Sequence, residues 1–297
     1  MTSTPYRFLF LTFITKRSTV VILIPILLLS YLIGIVYQTI NLETGIFIPG
    51  EGNSTTQFLE GFLLASIAVV SGILIMIAIK YNREKVLKGI FAVGLFISSV
   101  SVFWIHGYIL ELLKPNLYPW IEIIFAIVGC MLGIFVFLGF ISNKGNLHFR
   151  NTIIVLLGIA VGTVFGLILP LPTFLTLIIL ISLFDIYSVF KGPISKIFKK
   201  SNLSVSQQPN EFTIQSIAIG IGDFIFYSSF VTFVTKELGL AIGISAILGI
   251  IMGIKITERS LLKHGKFPGL PIPIFFALIL SGLAWVVDHY LLLVFKP

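Results

Sequence analysis

The sequence is poor in charged residues and has very few cysteines. Only 11% of its 297 residues are charged, whereas 57% are hydrophobic and the mean hydropathy is +1.08. A water-soluble domain cannot bury so much apolar surface, so lipid must surround most of the chain. A single cysteine, Cys130, excludes an intramolecular disulfide. The basic residues behind the net charge of +8 lie in short loops and form no basic face, which argues against nucleic-acid binding.

Signatures of several enzyme classes are also missing. No HExxH sequence is present, and no serine combines a G-x-S-G context with a well-placed histidine. The glycines of GIGDFI, residues 220–225, have no P-loop lysine. These absences argue against a zinc protease, an intramembrane serine protease and a phosphate-binding loop, and we expect neither a metal nor a cofactor.

Apolar runs long enough to cross a bilayer follow one another along the whole chain. A membrane-spanning helix needs roughly 20 apolar residues, about 30 Å at 1.5 Å per residue. We predict an all-α polytopic membrane protein, a single transmembrane domain over 1–297, with a flexible loop at 191–212. The nine predicted spans are 18–40, 58–80, 88–112, 117–142, 151–169, 172–190, 213–235, 238–257 and 268–295.

The lysines and arginines predict how these spans are oriented. With nine spans, 17 of the 20 basic residues fall on one side, and only Lys114, Lys236 and Lys296 fall on the other. Cytoplasmic loops carry the excess of basic residues. The N-terminus and the 191–212 loop are therefore predicted to be cytoplasmic, and the C-terminus to lie outside.

All three aspartates fall within predicted spans, and two of them lie well away from the span ends. A carboxylate near the bilayer centre costs roughly 2.5–3.5 kcal/mol, so each needs a physical reason. Asp185 lies about four residues to the cytoplasmic side of the midpoint of span six, and Asp223 within about a residue of the midpoint of span seven. Consecutive elements are usually neighbours in space, so we expect the two carboxyls to meet. Asp288, near the outer end of span nine, is interpreted as an interfacial residue.

Small and hydroxyl residues share the helical face predicted for each aspartate. These are Ser216, Gly220 and Tyr227 around Asp223, and Ser182 and Ser188 around Asp185. Such residues let helices approach closely and admit water beside a carboxyl. Gly220 and Gly222 also permit local unwinding next to Asp223.

Two facing carboxyls in a low dielectric share one proton, which is the condition for aspartic protease chemistry. The ionised partner activates a water, and the protonated partner donates to the scissile carbonyl. Intramembrane aspartates also serve ion paths and proton-coupled transport. Composition and spacing leave a cation- or proton-conducting protein and a protease equally open.

Three motifs resemble those of the presenilin and signal peptide peptidase intramembrane aspartyl proteases. GIGD at 220–223 resembles their G-x-G-D motif. LFDIYSVFKGP at 183–193 is similar to the aspartate motif of the preceding span, and FPGLPIP at 267–273 to the P-A-L motif of the last span. All three occur in the family's order, on predicted spans six, seven and nine. The compact loops are typical of short microbial, archaeal-like presenilin homologues.

The resemblance implies an intramembrane aspartic endopeptidase with Asp185 and Asp223 as its catalytic pair. Gly220 and Gly222 would shape the second motif. A substrate-binding segment would consist of Pro268, Gly269, Leu270 and Pro271. Because prolines remove backbone donors, we expect the start of span nine to be irregular and to pair with an extended substrate backbone.

Two positions depart from the family pattern. Phe184 stands where the family usually has a tyrosine, and Tyr187 or Tyr227 would have to supply the missing hydroxyl. Gly269 replaces the alanine of P-A-L, a small change that adds flexibility. A catalytically silent presenilin-like scaffold is a further alternative.

The resemblance also implies the surroundings in which the protein acts. The predicted orientation is that of the presenilin branch. Its partners would be transmembrane helical substrates with their N-termini outside, in the bilayer of a prokaryotic cell membrane. The 191–212 loop is short for the family, so no obligatory protein partner is expected.

Overall fold

The chain folds into apolar helices that follow the predicted spans. The computed structural model describes residues 12–15, 19–38, 54–81, 84–113, 120–142, 147–191, 217–264 and 267–294. Within these residues there are nine helices, which we number in chain order. They are α1 (Thr19–Gln38), α2 (Ser54–Lys80), α3 (Glu84–Leu113), α4 (Trp120–Ser142), α5 (Leu147–Ile168), α6 (Leu171–Phe190), α7 (Ile221–Leu238), α8 (Leu240–His264) and α9 (Pro271–Val294).

Six of the described helices are long and apolar enough to cross a membrane: α2, α3, α4, α6, α8 and α9. Shorter apolar stretches occupy Leu23–Gln38 in α1 and Val155–Ile168 in α5. The all-helical, membrane-spanning class is therefore confirmed, while the full count of nine spans and the orientation of the termini stay predictions. The predicted loop at 191–212 lies outside the described residues beyond Lys191, as does Ser216.

Proline and glycine set the breaks between consecutive helices. Pro170 precedes α6, and its carbonyl accepts the N–H of Phe174 at 2.9 Å, so α5 and α6 join with almost no loop. Gly239 separates α7 from α8 with φ +105°, a left-handed conformation that side chains with a Cβ rarely adopt. Its N–H donates to the Thr235 carbonyl at 3.2 Å, which closes the last turn of α7.

Helix α7 lies at the centre of the bundle. It packs against α1, α5 and α8, and every residue from Tyr227 to Thr235 is buried. Its serine and threonine hydroxyls bond to backbone carbonyls, for example Ser228 to Phe224 at 2.7 Å and Thr232 to Ser30 of α1 at 3.0 Å. Without such bonds, these buried hydroxyls would be costly in an apolar interior.

A short β-pair interrupts the all-helical pattern. Strand β1 (Thr12–Thr15) runs antiparallel to β2 (Ile217–Gly220), with Thr12 opposite Gly220 and Thr15 opposite Ile217. Span seven was predicted to be helical from 213, which is wrong for 217–220, because the chain is extended there and α7 begins only at Ile221. Consequently Gly220 does not share a helical face with Asp223, and Asp223 lies in the first turn of α7 instead of at a span midpoint.

The expected contact between spans six and seven is also different. Helix α6 packs mainly on α2, and α3 packs on α4, whereas α7 belongs to the α1–α5–α8 group. The two helices that carry the aspartates still meet at their far ends, where Phe174 of α6 stacks on Phe233 of α7 with ring centroids 4.2 Å apart. Helix α9 packs along α8 and has smaller contacts with both α6 and α7. Sequential adjacency is only a tendency, and here the start of α9 joins the two helices that carry the aspartates.

Candidate active site

Asp185 lies near the C-terminal end of α6, about one and a half turns before Phe190. One of its carboxylate oxygens, Oδ2, accepts the backbone N–H of Leu270 at 3.1 Å. The backbone amide of Gly269 interacts with the same carboxyl. Two consecutive amides of the segment before α9 therefore face this side chain. Hydrogen bonds from backbone amides to a carboxylate are stronger than bonds between neutral groups.

Asp223 reaches the same segment from α7. A methyl group built on Gly269 would lie 2.7 Å from Oδ2 and 2.9 Å from Oδ1 of Asp223. The carboxyl is therefore in close contact with the Cα of Gly269. Because Asp223 lies in the first turn of α7, the unpaired N–H groups and the dipole of that helix favour a negative charge at its position.

Tyr227 completes the cluster from one turn further along α7. Its hydroxyl donates to the carbonyl of Gly269 at 2.7 Å, and the side chain is only 3% exposed. The two aspartates and this tyrosine thus converge on Gly269 and Leu270. The segment that carries the P-A-L-like motif thus lies beside both aspartates, which reach it from different helices.

The polar backbone groups of Gly269 and Leu270 are used within the protein. Their amides face Asp185, and the Gly269 carbonyl accepts the Tyr227 hydroxyl. The Leu270 carbonyl accepts the N–H of Ile274 at 3.2 Å, in the first turn of α9. Segment 267–270 is non-helical, as predicted, whereas Pro271 already begins α9. The use of 268–271 as a substrate-binding strand stays a prediction, and in this conformation Gly269 and Leu270 offer it no free backbone group.

The remaining predicted site residues lie around this cluster in different ways. Gly220 ends β2 and Gly222 is exposed in the first turn of α7, where an added Cβ would meet nothing within 4 Å. Tyr187 is 57% exposed on α6, so of the two tyrosines only Tyr227 joins the cluster. The ring of Phe184 lies 3.6 Å from the Cβ position of Gly72 on α2, away from the aspartates.

Sequence reasoning missed the glycines that bring the backbones together around the site. Gly162 of α5 faces Ser228 and the Ile225 carbonyl of α7, and Gly166 faces the Ser229 carbonyl. Gly253 of α8 faces the backbone of Pro273 at the start of α9. The spacing of small residues four apart, Gly162 to Gly166 and Gly249 to Gly253, is the signal that would have predicted these helix contacts.

Comparisons with known proteins identify the fold. No protein-family model and no curated protein sequence matches the chain. A solved structure of a presenilin family intramembrane aspartate protease, in space group C222, superposes with a TM-score of 0.57 over 90% of this chain and 99% of that chain, at 17% identity. A second, in space group P2, has a TM-score of 0.55 and 18% identity over 90% of this chain and 96% of that chain. The chain therefore has the presenilin-family protease fold, as its motifs predicted.

Proposed function

We propose that this protein is an intramembrane aspartyl endopeptidase that hydrolyses peptide bonds within transmembrane segments of membrane proteins. The observation that carries the proposal is the convergence of Asp185 and Asp223, from two helices, on the Gly269–Leu270 segment. Two carboxyls brought to one point in an apolar bundle are suited to share a proton. The presenilin-like fold supports the same conclusion.

In the proposed reaction the aspartate pair carries both acid and base functions. The ionised carboxyl takes a proton from water, whose oxygen attacks the carbonyl carbon of the scissile bond. The protonated carboxyl donates its proton to the carbonyl oxygen, which forms a gem-diol. Transfer of a proton to the amide nitrogen then breaks the C–N bond and releases a carboxylate and an amine. The chemistry requires no metal, cofactor or covalent intermediate.

The proposed setting follows the predicted topology. The chain would form one transmembrane domain with nine spans in a prokaryotic cell membrane, with the N-terminus in the cytoplasm and the C-terminus outside. Asp185 near the end of α6 and Asp223 at the start of α7 would then lie toward the cytoplasmic side. Transmembrane helical substrates would be its partners, without an obligatory protein subunit.

Reconstitution in liposomes tests the proposed activity against its alternative. The purified protein is incubated with a transmembrane peptide, products are identified by mass spectrometry, and ion flux is followed in the same vesicles. We expect cleavage within the apolar segment and no protein-dependent flux. Flux without cleavage would favour the cation- or proton-conducting alternative, and neither activity would favour a silent scaffold.

The orientation preference is tested separately. A single-span reporter is inserted in both orientations in vesicles that contain the enzyme in known orientation. Because the predicted topology matches the presenilin branch, we expect preferential cleavage of the reporter whose N-terminus lies outside. Cleavage only of the opposite reporter would contradict the proposed orientation while leaving the protease activity established.

A further inference from the structure

Asp185 and Asp223 are carried by helices that pack in different parts of the bundle. Helix α6 packs mainly on α2, whereas α7 packs on α1, α5 and α8. Side chains of the two helices do meet, since Phe174 of α6 stacks on Phe233 of α7 with ring centroids 4.2 Å apart, but this contact lies at the ends of the helices far from the aspartates. Beside the carboxyls, the link between the two helices is segment 267–270, which precedes α9.

One side chain ties this segment to α7. Tyr227 is four residues after Asp223 on the same helix, and its hydroxyl donates to the Gly269 carbonyl at 2.7 Å. The opposite side of the same peptide segment presents the amides of Gly269 and Leu270 to Asp185. A continuous path of hydrogen bonds thus runs from α7, through two backbone units, to the carboxylate on α6.

We propose that Tyr227 is a positioning residue for the aspartate pair, acting on Asp185 through the backbone of Gly269 and Leu270. This inference rests on the proposed function. The helix that carries Asp223 also holds the segment that orients Asp185, so one rigid element sets both carboxyls. Catalytic groups displaced by about 1 Å can lose roughly a hundredfold in rate, which is why a link of this kind matters.

Tyr227 is buried, so its ring contributes to packing as well, and the two roles have to be separated by experiment. Its ring is part of the main hydrophobic core, with Phe224, Phe230 and Val231. Removing only the hydroxyl, as in Tyr227→Phe, keeps that apolar contact and leaves the Gly269 carbonyl without its donor. A purely packing role predicts little change in this variant, whereas the positioning role predicts a change at the site.

Hydrogen exchange measures the link without any substrate. Pro268 and Pro271 have no N–H, so the only backbone amides within 268–271 are the two that face Asp185. We expect these amides to exchange about five- to tenfold faster in Tyr227→Phe, the loss equivalent to one hydrogen bond. Tyr290→Phe is the matched control, because its exposed ring lies near the far end of α9 and outside the cluster, and exchange should be unchanged.

Asp185→Ala is a second variant that perturbs the same path from the other end. It removes the acceptor of the Leu270 N–H while leaving Tyr227 intact, and the two amides should again exchange faster. Faster exchange in Asp185→Ala with wild-type exchange in Tyr227→Phe would show that Asp185 alone holds the segment. That result would overturn the positioning role of Tyr227.

Peptide cleavage supplies the second readout. We expect Tyr227→Phe to lower kcat about tenfold, to leave KM within about twofold and to change the shape of the pH–rate profile. Tyr290→Phe should match the wild type in all three. An active wild type with an unaltered kcat and pH profile in Tyr227→Phe would refute the inference. If the wild type itself never cleaves, the proposed function fails, and the exchange experiment still decides whether Tyr227 holds the segment.

Discussion

The bundle has two regions that pack in different ways. The core region consists of α1, α5, α7 and α8, and the outer region consists of α2, α3 and α4. In the apolar 18-residue window of α8, 44% of the residues are buried, against 11% in the corresponding window of α2. Small residues bring helix backbones together in both regions, for example Gly162 of α5 against the Ile225 carbonyl and Gly129 of α4 against the Ser99 carbonyl. The regions differ in burial, because every residue from Tyr227 to Thr235 of α7 is buried, whereas α2, α3 and α4 expose large apolar side chains along their length.

The aspartates divide between these regions. Asp223 is part of the core helix α7, while Asp185 is on α6, whose main partner is the outer helix α2. The proposed protease would need a fixed catalytic pair and also a way to admit a transmembrane substrate. A buried core helix carrying one carboxyl and a less buried helix carrying the other would suit both needs, with segment 267–270 as the link beside the carboxyls.

The largest effect is expected on stability, when a methyl group is added to a glycine of the core. In Gly162→Ala the new Cβ would overlap Ser228 and the Ile225 carbonyl of α7, so we expect a loss of about 3 kcal/mol in the free energy of unfolding. Gly94→Ala is the matched change in the outer helix α3, where nothing lies within 4 Å. Better helix propensity should make it neutral or stabilising by about 0.5–1 kcal/mol.

The free energies of unfolding of the two variants in detergent, measured by circular dichroism, test this expectation. Equal stability of the two alanine variants would contradict the close packing of α5 on α7 at Gly162.

A smaller effect, on the rate of cleavage, is expected when a methyl group is added to Gly269 beside the aspartates. In Gly269→Ala the methyl would contact the Asp223 carboxyl at 2.7 Å, and that side chain must rotate from its present position. Such a rotation costs about 0.5–1.5 kcal/mol, which corresponds to a two- to tenfold lower kcat with little change in stability. Gly282→Ala, on α9 and in open space, should keep wild-type kcat.

The alanine at position 269 is also what the P-A-L pattern of the resembling family would place there. Wild-type kcat in Gly269→Ala would show that the close contact between Gly269 and Asp223 has no catalytic consequence in this chain. A reduced kcat would identify Gly269 as an adaptation to the position of Asp223 in this chain.

The smallest effect is expected for a polar contact between the two regions. His106 of α3 donates through Nδ1 to the Val102 carbonyl at 2.8 Å, and its Nε2 lies 3.2 Å from Oγ1 of Thr163 on α5. Interhelical hydrogen bonds in membrane proteins contribute about 0.6 kcal/mol on average. A double-mutant cycle with His106→Phe and Thr163→Val should give a coupling energy of about that size in unfolding experiments. A coupling near zero would mean that this contact does not join the two regions.

The sequence predicted the helices well, because hydrophobic length is a strong local signal. The isolated intramembrane carboxyls also singled out the two aspartates that the structure brings to Gly269 and Leu270. It predicted the partners of each helix poorly. In a membrane protein almost every face of a helix is apolar, so hydropathy does not distinguish the side of α6 that packs on α2 from the side that faces lipid. The four-residue spacing of Gly162 and Gly166 carried that information for α5 and α7.

The start of α7 was mispredicted for a related physical reason. Hydrophobic length favoured one helix through Ile217–Gly220, but the two glycines at 220 and 222 weaken a helix there and the extended backbone pairs with β1. Likewise, the PGLP sequence predicted an irregular segment. It could not predict that Gly269 and Leu270 would use their polar groups on Asp185 and Tyr227, since those contacts depend on the tertiary positions of α6 and α7.

Single substitutions of the three aspartates test most directly whether Asp185 and Asp223 act together, as proposed. Asp185→Asn and Asp223→Asn are compared with Asp288→Asn, which changes an exposed aspartate far along α9 from the cluster. Cleavage of a reconstituted transmembrane peptide should fall below detection in the first two variants and stay at the wild-type rate in the third, with all three folded. Substantial cleavage by Asp185→Asn or Asp223→Asn would contradict the proposed catalytic pair.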